Sequence, residues 1–132
     1  MARILIVDDD PDVVEACRLF LEREHHQVAW AYSRAEGMRA IAEHAPDLLI
    51  LDVMMEQPDD GIAMAQDLRR QGFSRPILML TSISRVTGFT YGKDKDLVPV
   101  DEFQEKPIEP ATLVRKVAQL LAAHEQQAGK EG

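Results

Sequence analysis

Residues able to work together recur at the ends of apolar runs. Asp8, Asp9 and Asp10 follow Arg3–Val7 (RILIV), and Asp52 follows LLIL at 48–51. Thr81 and Ser82 follow PILML at 76–80, and Lys106, with Pro107 behind it, closes a run that begins at Val100. A carboxylate placed directly after a buried strand is costly unless something there requires it. Clustered carboxylates repel one another until a cation or a proton joins them. Hard oxygen ligands, few and partly wet, suit Mg²⁺. A lysine and a hydroxyl beside them suit a phosphoryl group, the one giving charge and the other a hydrogen bond. Asp52 can then be more than a ligand, because a carboxylate can attack phosphorus and form an aspartyl-phosphate.

That chemistry needs the runs to be strands ending on one edge. Short apolar runs alternate with amphipathic stretches along the chain. Arg3–Val7 reads as a first strand. Asp10 then caps a helix with Pro11 at its first position, and Val14, Cys17, Phe20 and Leu21 follow helical spacing. QVAWA at 27–31 is a second strand. Ser33 to Glu36 has capping-box spacing and opens a helix to about Glu43. Leu48–Leu51 is a third strand, Ile62 to about Arg70 a helix that Gly72 ends, and Pro76–Leu80 a fourth strand. Val100–Glu105 is the fifth, and Pro110 starts a last helix with Leu113, Val117, Leu120 and Leu121 on one face. Strands alternating with helices imply a parallel sheet covered on both faces. Ligands of such sheets sit beyond the carboxyl ends of the strands, where the acidic residues, Thr81 and Lys106 all stand.

Taken in order, ILIVDDDP, LLILDVMM, the Leu80-Thr81 pair and Glu105-Lys106-Pro107 resemble the receiver domain of two-component response regulators (CheY-like). The resemblance covers residues 3 to about 123. It implies an α/β, flavodoxin-like, doubly wound sheet of strand order 2-1-3-4-5, a receiver domain over 1–123 and a flexible tail over 124–132. It implies that Asp52 is the phosphoacceptor. Asp9 and Asp52 would bind Mg²⁺ directly, Asp8 largely through water, and the backbone carbonyl of Met54 would complete the protein ligands. Thr81 would bond the phosphoryl oxygen, Lys106 would pair with the phosphoryl group, and Phe103 matches the switch aromatic. The expected donor is a sensor histidine kinase or a histidine phosphotransfer protein, and the expected reader is a downstream protein target.

The sequence departs from the family in two places. After Asp52 the loop reads MMEQPDDG, where the family usually has MPxMDG, so the proline is displaced and about one residue is added before Gly61. Residues 81–100 lack the pattern of the usual helix between the fourth and fifth strands. A short or irregular helix is expected there, and with it a modified partner surface.

Composition bounds the remaining readings. The chain has 132 residues, of which 45% are apolar, enough for one core. A formal net charge of −8 argues against direct nucleic-acid contact. Apolar runs are too short to span a bilayer, the N-terminus is not a signal peptide, and the single cysteine, Cys17, fits a reducing cytoplasm. Cys17 and the methionines read as core, and the histidines as surface. Asp8-Asp9-Asp10 alone could be a helix-cap cluster, and Asp10 keeps that role. A stand-alone module, monomeric or weakly dimeric, is expected rather than an enzyme, its turnover limited to Mg²⁺-dependent phosphorylation and dephosphorylation of itself. A phosphohydrolase with an aspartyl-phosphate intermediate would carry a second Asp where Met54 stands. A receiver-fold binding module that works without phosphate is the other alternative.

Overall fold

The computed structural model describes residues 2–81 and 100–131. In chain order the elements are β1 (Arg3–Val7), α1 (Pro11–Arg23), β2 (Gln27–Ala31), α2 (Arg34–His44), β3 (Leu48–Asp52), α3 (Asp60–Arg70), β4 (Ile77–Thr81), β5 (Glu102–Glu105) and α4 (Pro110–Glu131). The five strands form one parallel sheet of order β2-β1-β3-β4-β5. This is the expected doubly wound, flavodoxin-like topology.

Alternation along the strands divides the core into two layers. Leu5, Val7, Leu49, Leu51, Ile77 and Met79 face α2 and α3, where Ala40, Met64, Ala65 and Leu68 meet them. Ile4, Ile6, Leu48, Ile50, Leu78 and Leu80 face α1 and α4, where Val14, Cys17, Leu21, Leu113 and Val117 close over them. The strands β3 and β4 are buried at every position, which is why their sequences show no alternation.

The helix starts follow local chemistry. Asp10 accepts from the Asp12 N–H at 2.9 Å, with Pro11 at the first helical position. Ser33 Oγ accepts from the Glu36 N–H at 3.2 Å. The return bond of this capping box goes one residue further out, from the Tyr32 N–H to Glu36 Oε2 at 2.9 Å. Gly72 takes φ +94 just past α3, the left-handed conformation that a glycine adopts without strain.

Several boundaries differ from the sequence reading. α3 begins at Asp60 rather than Ile62, β4 includes Thr81, and β5 begins at Glu102 rather than Val100. α4 continues to Glu131, past residue 123 where a flexible tail was expected. Ala, Gln, Glu and Lys dominate that stretch, and all are good helix formers. The expected short or irregular helix between β4 and β5, together with Ser82, lies outside the described residues.

Leu49 is fully buried between β1, β4 and α3, so Leu49→Ala should destabilise the fold by about 2–5 kcal/mol. Leu19, 50% exposed on α1, should give a change within about 0.5 kcal/mol as Leu19→Ala. Urea unfolding of the two variants checks this, and comparable losses would contradict the assignment of the core.

Candidate functional site

The carboxyl ends of β1 and β3 lie side by side, because Val7 is in register with Leu51. Asp8 and Asp52 therefore leave adjacent strands at the same level. Both are buried, at 0% and 5% exposure, while Asp9 beside them faces solvent. Asp8, Asp9 and Asp52 each offer one carboxylate oxygen within 4.8 Å of the others. Lys106, just past β5, reaches across β4 to both buried carboxylates. Its Nζ stands 2.9 Å from Asp8 Oδ2 and 3.2 Å from Asp52 Oδ1.

Backbone groups hold these side chains in place. The Asp10 N–H donates to Asp8 Oδ1 at 2.9 Å, so the first turn that Asp10 caps also fixes Asp8. The Lys106 N–H donates to the Thr81 carbonyl at 2.8 Å, tying the lysine to the end of β4. Thr81 is buried there, one step beyond Leu80, which is in register with Asp52. The Lys106–Pro107 peptide is cis.

The unusual loop after Asp52 folds into a closed turn. Asp60 Oδ2 accepts from the Gln57 N–H at 2.7 Å, and the Gln57 carbonyl accepts from the N–H groups of Met55 and Asp60, each at 3.3 Å. The added residue is thus taken up over 55–60, while the Gly61 N–H returns to the Val53 carbonyl at 2.8 Å. A Cβ at Gly61 would lie 1.9 Å from the Asp52 carbonyl oxygen. Only glycine lets α3 start this close to the acidic strand end. Sequence reasoning gave Gly61 no role beyond ending the loop, and gave the Asp10 amide none at all. A glycine ending a polar loop was the visible signal for the first; a backbone donor leaves no residue-type signal.

The electrostatics follow from burial. Burial raises the pKa of Asp8, against the Asp10 N–H and Lys106, which favour its ionised form. Burial, and next the neighbouring Asp8 charge, push Asp52 up to about 7. Burial works against the charge on Lys106, but Asp8 and Asp52 outweigh it and hold its pKa above the ordinary value. The pocket thus holds more negative charge than one lysine neutralises. Its donors are all hard oxygens, and Asp9 leaves one side wet, so the three aspartates fit a divalent cation.

Among the expected site residues, Asp8, Asp9, Asp52 and Lys106 are brought together, with Thr81 at the adjoining strand end. Met54 lies in the loop two residues past Asp52, partly buried against the α2–α3 core layer. Phe103 stands apart on β5, in register with Met79 and half-buried against the same layer.

A family model for the response regulator receiver domain matches residues 4–118. The chain belongs to this family. The receiver is 36% identical over 119 residues to the response regulator MprA of Mycobacterium ulcerans, covering 90% of the receiver and 50% of that protein. It is 32% identical over 127 residues to the alkaline phosphatase synthesis transcriptional regulatory protein PhoP of Bacillus subtilis, covering 93% and 50%. It spans about half the length of these relatives. Among solved structures, the CheY-like receiver domain protein of Methanospirillum hungatei superposes with a TM-score of 0.81 at 23% identity, covering 96% of the receiver and 98% of that chain. The BeF3-activated N-terminal receiver domain of RstA from Klebsiella pneumoniae gives 0.74 at 26% identity, covering 90% and 98%. Among the described residues no helix is long and apolar enough to cross a membrane.

Two predictions follow from the geometry. A carboxyl whose folded pKa lies above its unfolded one keeps its proton in the fold where the unfolded chain has released it. Without divalent cation, the receiver should therefore lose stability from Asp52 as pH rises from about 4 to about 7. Asp52→Asn should remove this loss and be more stable than the parent by on the order of 1–3 kcal/mol at neutral pH. Urea unfolding at pH 4.5 and about pH 8 in EDTA reads it; an equal gain at both pH values would contradict it. Gly61→Ala should destabilise by on the order of 2–4 kcal/mol, since backbone rather than a flexible side chain must give way. Unfolding no easier than in the parent would show that the approach of α3 to Asp52 is not tight.

Proposed function

We propose that the receiver is a phosphorylation-dependent switch that takes a phosphoryl group on Asp52, with Mg²⁺ held by Asp9 and Asp52 directly, by Asp8 largely through water, and by the Met54 carbonyl. The observation that carries this reading is the contact of Lys106 with both Asp8 and Asp52 inside a buried acidic group. A lysine there balances two carboxylates before transfer, and is in place to pair with the phosphoryl oxygens afterwards. An Asp52 oxygen attacks phosphorus, and the bond from phosphorus to the donor nitrogen breaks with the electron pair leaving on the imidazole. The strand end fixes the nucleophile, which is what phosphoryl transfer asks of a protein. Bound Mg²⁺ supplies charge neutralisation for the phosphoryl oxygens. Thr81 gives the hydrogen bond, and Phe103 is the aromatic that reports the new charge.

The donor is a sensor histidine kinase or a histidine phosphotransfer protein, and the output is a contact with a downstream protein. The family and the relatives' regulatory names support this reading. The receiver itself makes no nucleic-acid contact, in keeping with its charge of −8. Its own turnover is limited to gaining and losing the phosphoryl group, and it works in the cytoplasm.

Intact-protein mass after incubation with Mg²⁺ and acetyl phosphate tests the reading. A gain of about 80 Da, one phosphoryl group, is expected in the parent and absent in Asp52→Asn. Lys106→Met should lower the modified fraction while leaving Asp52 as the acceptor. No gain from acetyl phosphate or from a phosphorylated histidine donor would overturn the phosphoacceptor role and leave the phosphate-independent binding module.

A further inference from the structure

The two edges of the sheet are finished differently. On β5 the outward backbone groups of Phe103 are both occupied by side chains. Its N–H donates to Glu102 Oε1 at 2.9 Å, and its carbonyl accepts from Lys116 Nζ. Occupied edge groups cannot template another strand. On β2 no such cover exists among the described residues. The Gln27 N–H bonds to Ala2, and the Ala31 carbonyl accepts from Asp8, so these odd positions face β1. Alternation turns the N–H and C=O of Val28 and Trp30 outward. The strand QVAWA carries no charge and no proline, the usual devices that blunt an edge. At its far end Glu36 takes the Tyr32 N–H, which confines the open stretch to Val28–Trp30.

The space beside this edge is also free. Two adjoining grooves, of about 470 and 360 Å³, run along β2 under α2 and share Glu43 and His44. Trp30 and Tyr32 are 41% and 42% exposed at the same edge. Within a chain of net charge −8, the grooves are charge-balanced, with Arg3 and Arg39 against Glu36 and Glu43.

We propose that β2 is a self-association edge at which a second copy of this chain pairs antiparallel about Ala29. The open stretch is self-complementary in this register. Val28 of one copy lies opposite Trp30 of the other, and each such pair exchanges both of its hydrogen bonds. The same register sets Val28 against Trp30 as cross-strand apolar pairs, a favourable combination. A two-fold axis through Ala29 meets the local charge balance as well, since the Glu36 end of one copy meets the Arg3 end of the other. A strip this short buries little area, so the dimer is weak and reversible. It is independent of the chemistry at Asp52.

Sedimentation velocity of the full chain at up to about 1 mM tests it, with an expected apparent Kd on the order of 0.1 mM. Association should tighten with salt, because screening weakens the repulsion between two acidic chains. Trp30→Lys should weaken association at least tenfold, since it sets a charge in place of the apolar partner of Val28 and removes the ring over which Arg18 lies. Ala29→Cys should cross-link on mild oxidation much faster than Ser74→Cys, since facing non-hydrogen-bonded positions suit a disulfide. Cys17 is fully buried and its thiol is pushed up to about 12 by burial, so the introduced thiol is the one that reacts. The cross-link decides the matter where Trp30→Lys fails to fold. A monomer at the highest concentration in high salt, a Trp30→Lys variant that dimerises like the parent, or cross-linking no faster at Ala29 than at Ser74 overturns the proposal.

Discussion

Everything at the top of this fold turns on keeping Asp8 and Asp52 ionisable while burying them. Two carboxylates removed from water beside each other are unfavourable, and a single lysine offsets only part of that. Lys106 reaches both, at 2.9 and 3.2 Å, yet burial still holds the two acids above their ordinary range. The structure therefore stores an unmet demand for positive charge at a defined place. A divalent cation would satisfy it, and under the proposed function an incoming phosphoryl group would change it again.

The surrounding fold makes that demand sharp by making the acids immobile. Asp8 and Asp52 stand at the ends of strands that, Arg3 apart, are enclosed between two helix layers. Asp10 and Gly61 add backbone constraints on either side, one by donating to Asp8 and the other by letting α3 close against Asp52. A carboxylate on a loose loop would relax toward solvent and its pKa would return to normal. Here the core prevents relaxation, so packing energy far from the site maintains the electrostatic state within it.

Most of this was legible because its causes are local. Apolar runs marked β1 and β3 to within a residue, and the Asp10-Pro11 and Ser33-to-Glu36 signals marked two helix starts through their capping chemistry. The acidic set was legible since a parallel sheet must gather its strand ends on one edge. What escaped was set by contacts between distant parts. Gly61 is required by the proximity of Asp52, which only the packed loop shows. The first strand residue of β5 moved from Val100 to Glu102: at Asp101 the backbone N–H still reaches the Ile77 carbonyl, but the Ile77 N–H is taken by the Asp101 side chain, which also pairs with Arg69, and not by a strand carbonyl. α3 gained two residues at its start from the Asp60–Gln57 exchange, a closure that no residue pattern announces.

The same contrast separates what this receiver shares from what it can vary. Asp8, Asp52 and Lys106 are tied to one another through charge, so removing Lys106 leaves buried carboxylates uncompensated, at about 3–5 kcal/mol for a buried pair. The loop over 55–60 is tied mainly to itself, through Gln57 and Asp60, and leads into Gly61, which packs against Asp52. The sheet edges are freer still, since Glu102 on β5 and Lys116 on α4, which cover the β5 edge, make their contacts with Phe103 and not with an acid of the site. The charged residues of the site are therefore held fixed by the core, while the loop over 55–60 and the sheet edges stand apart from them.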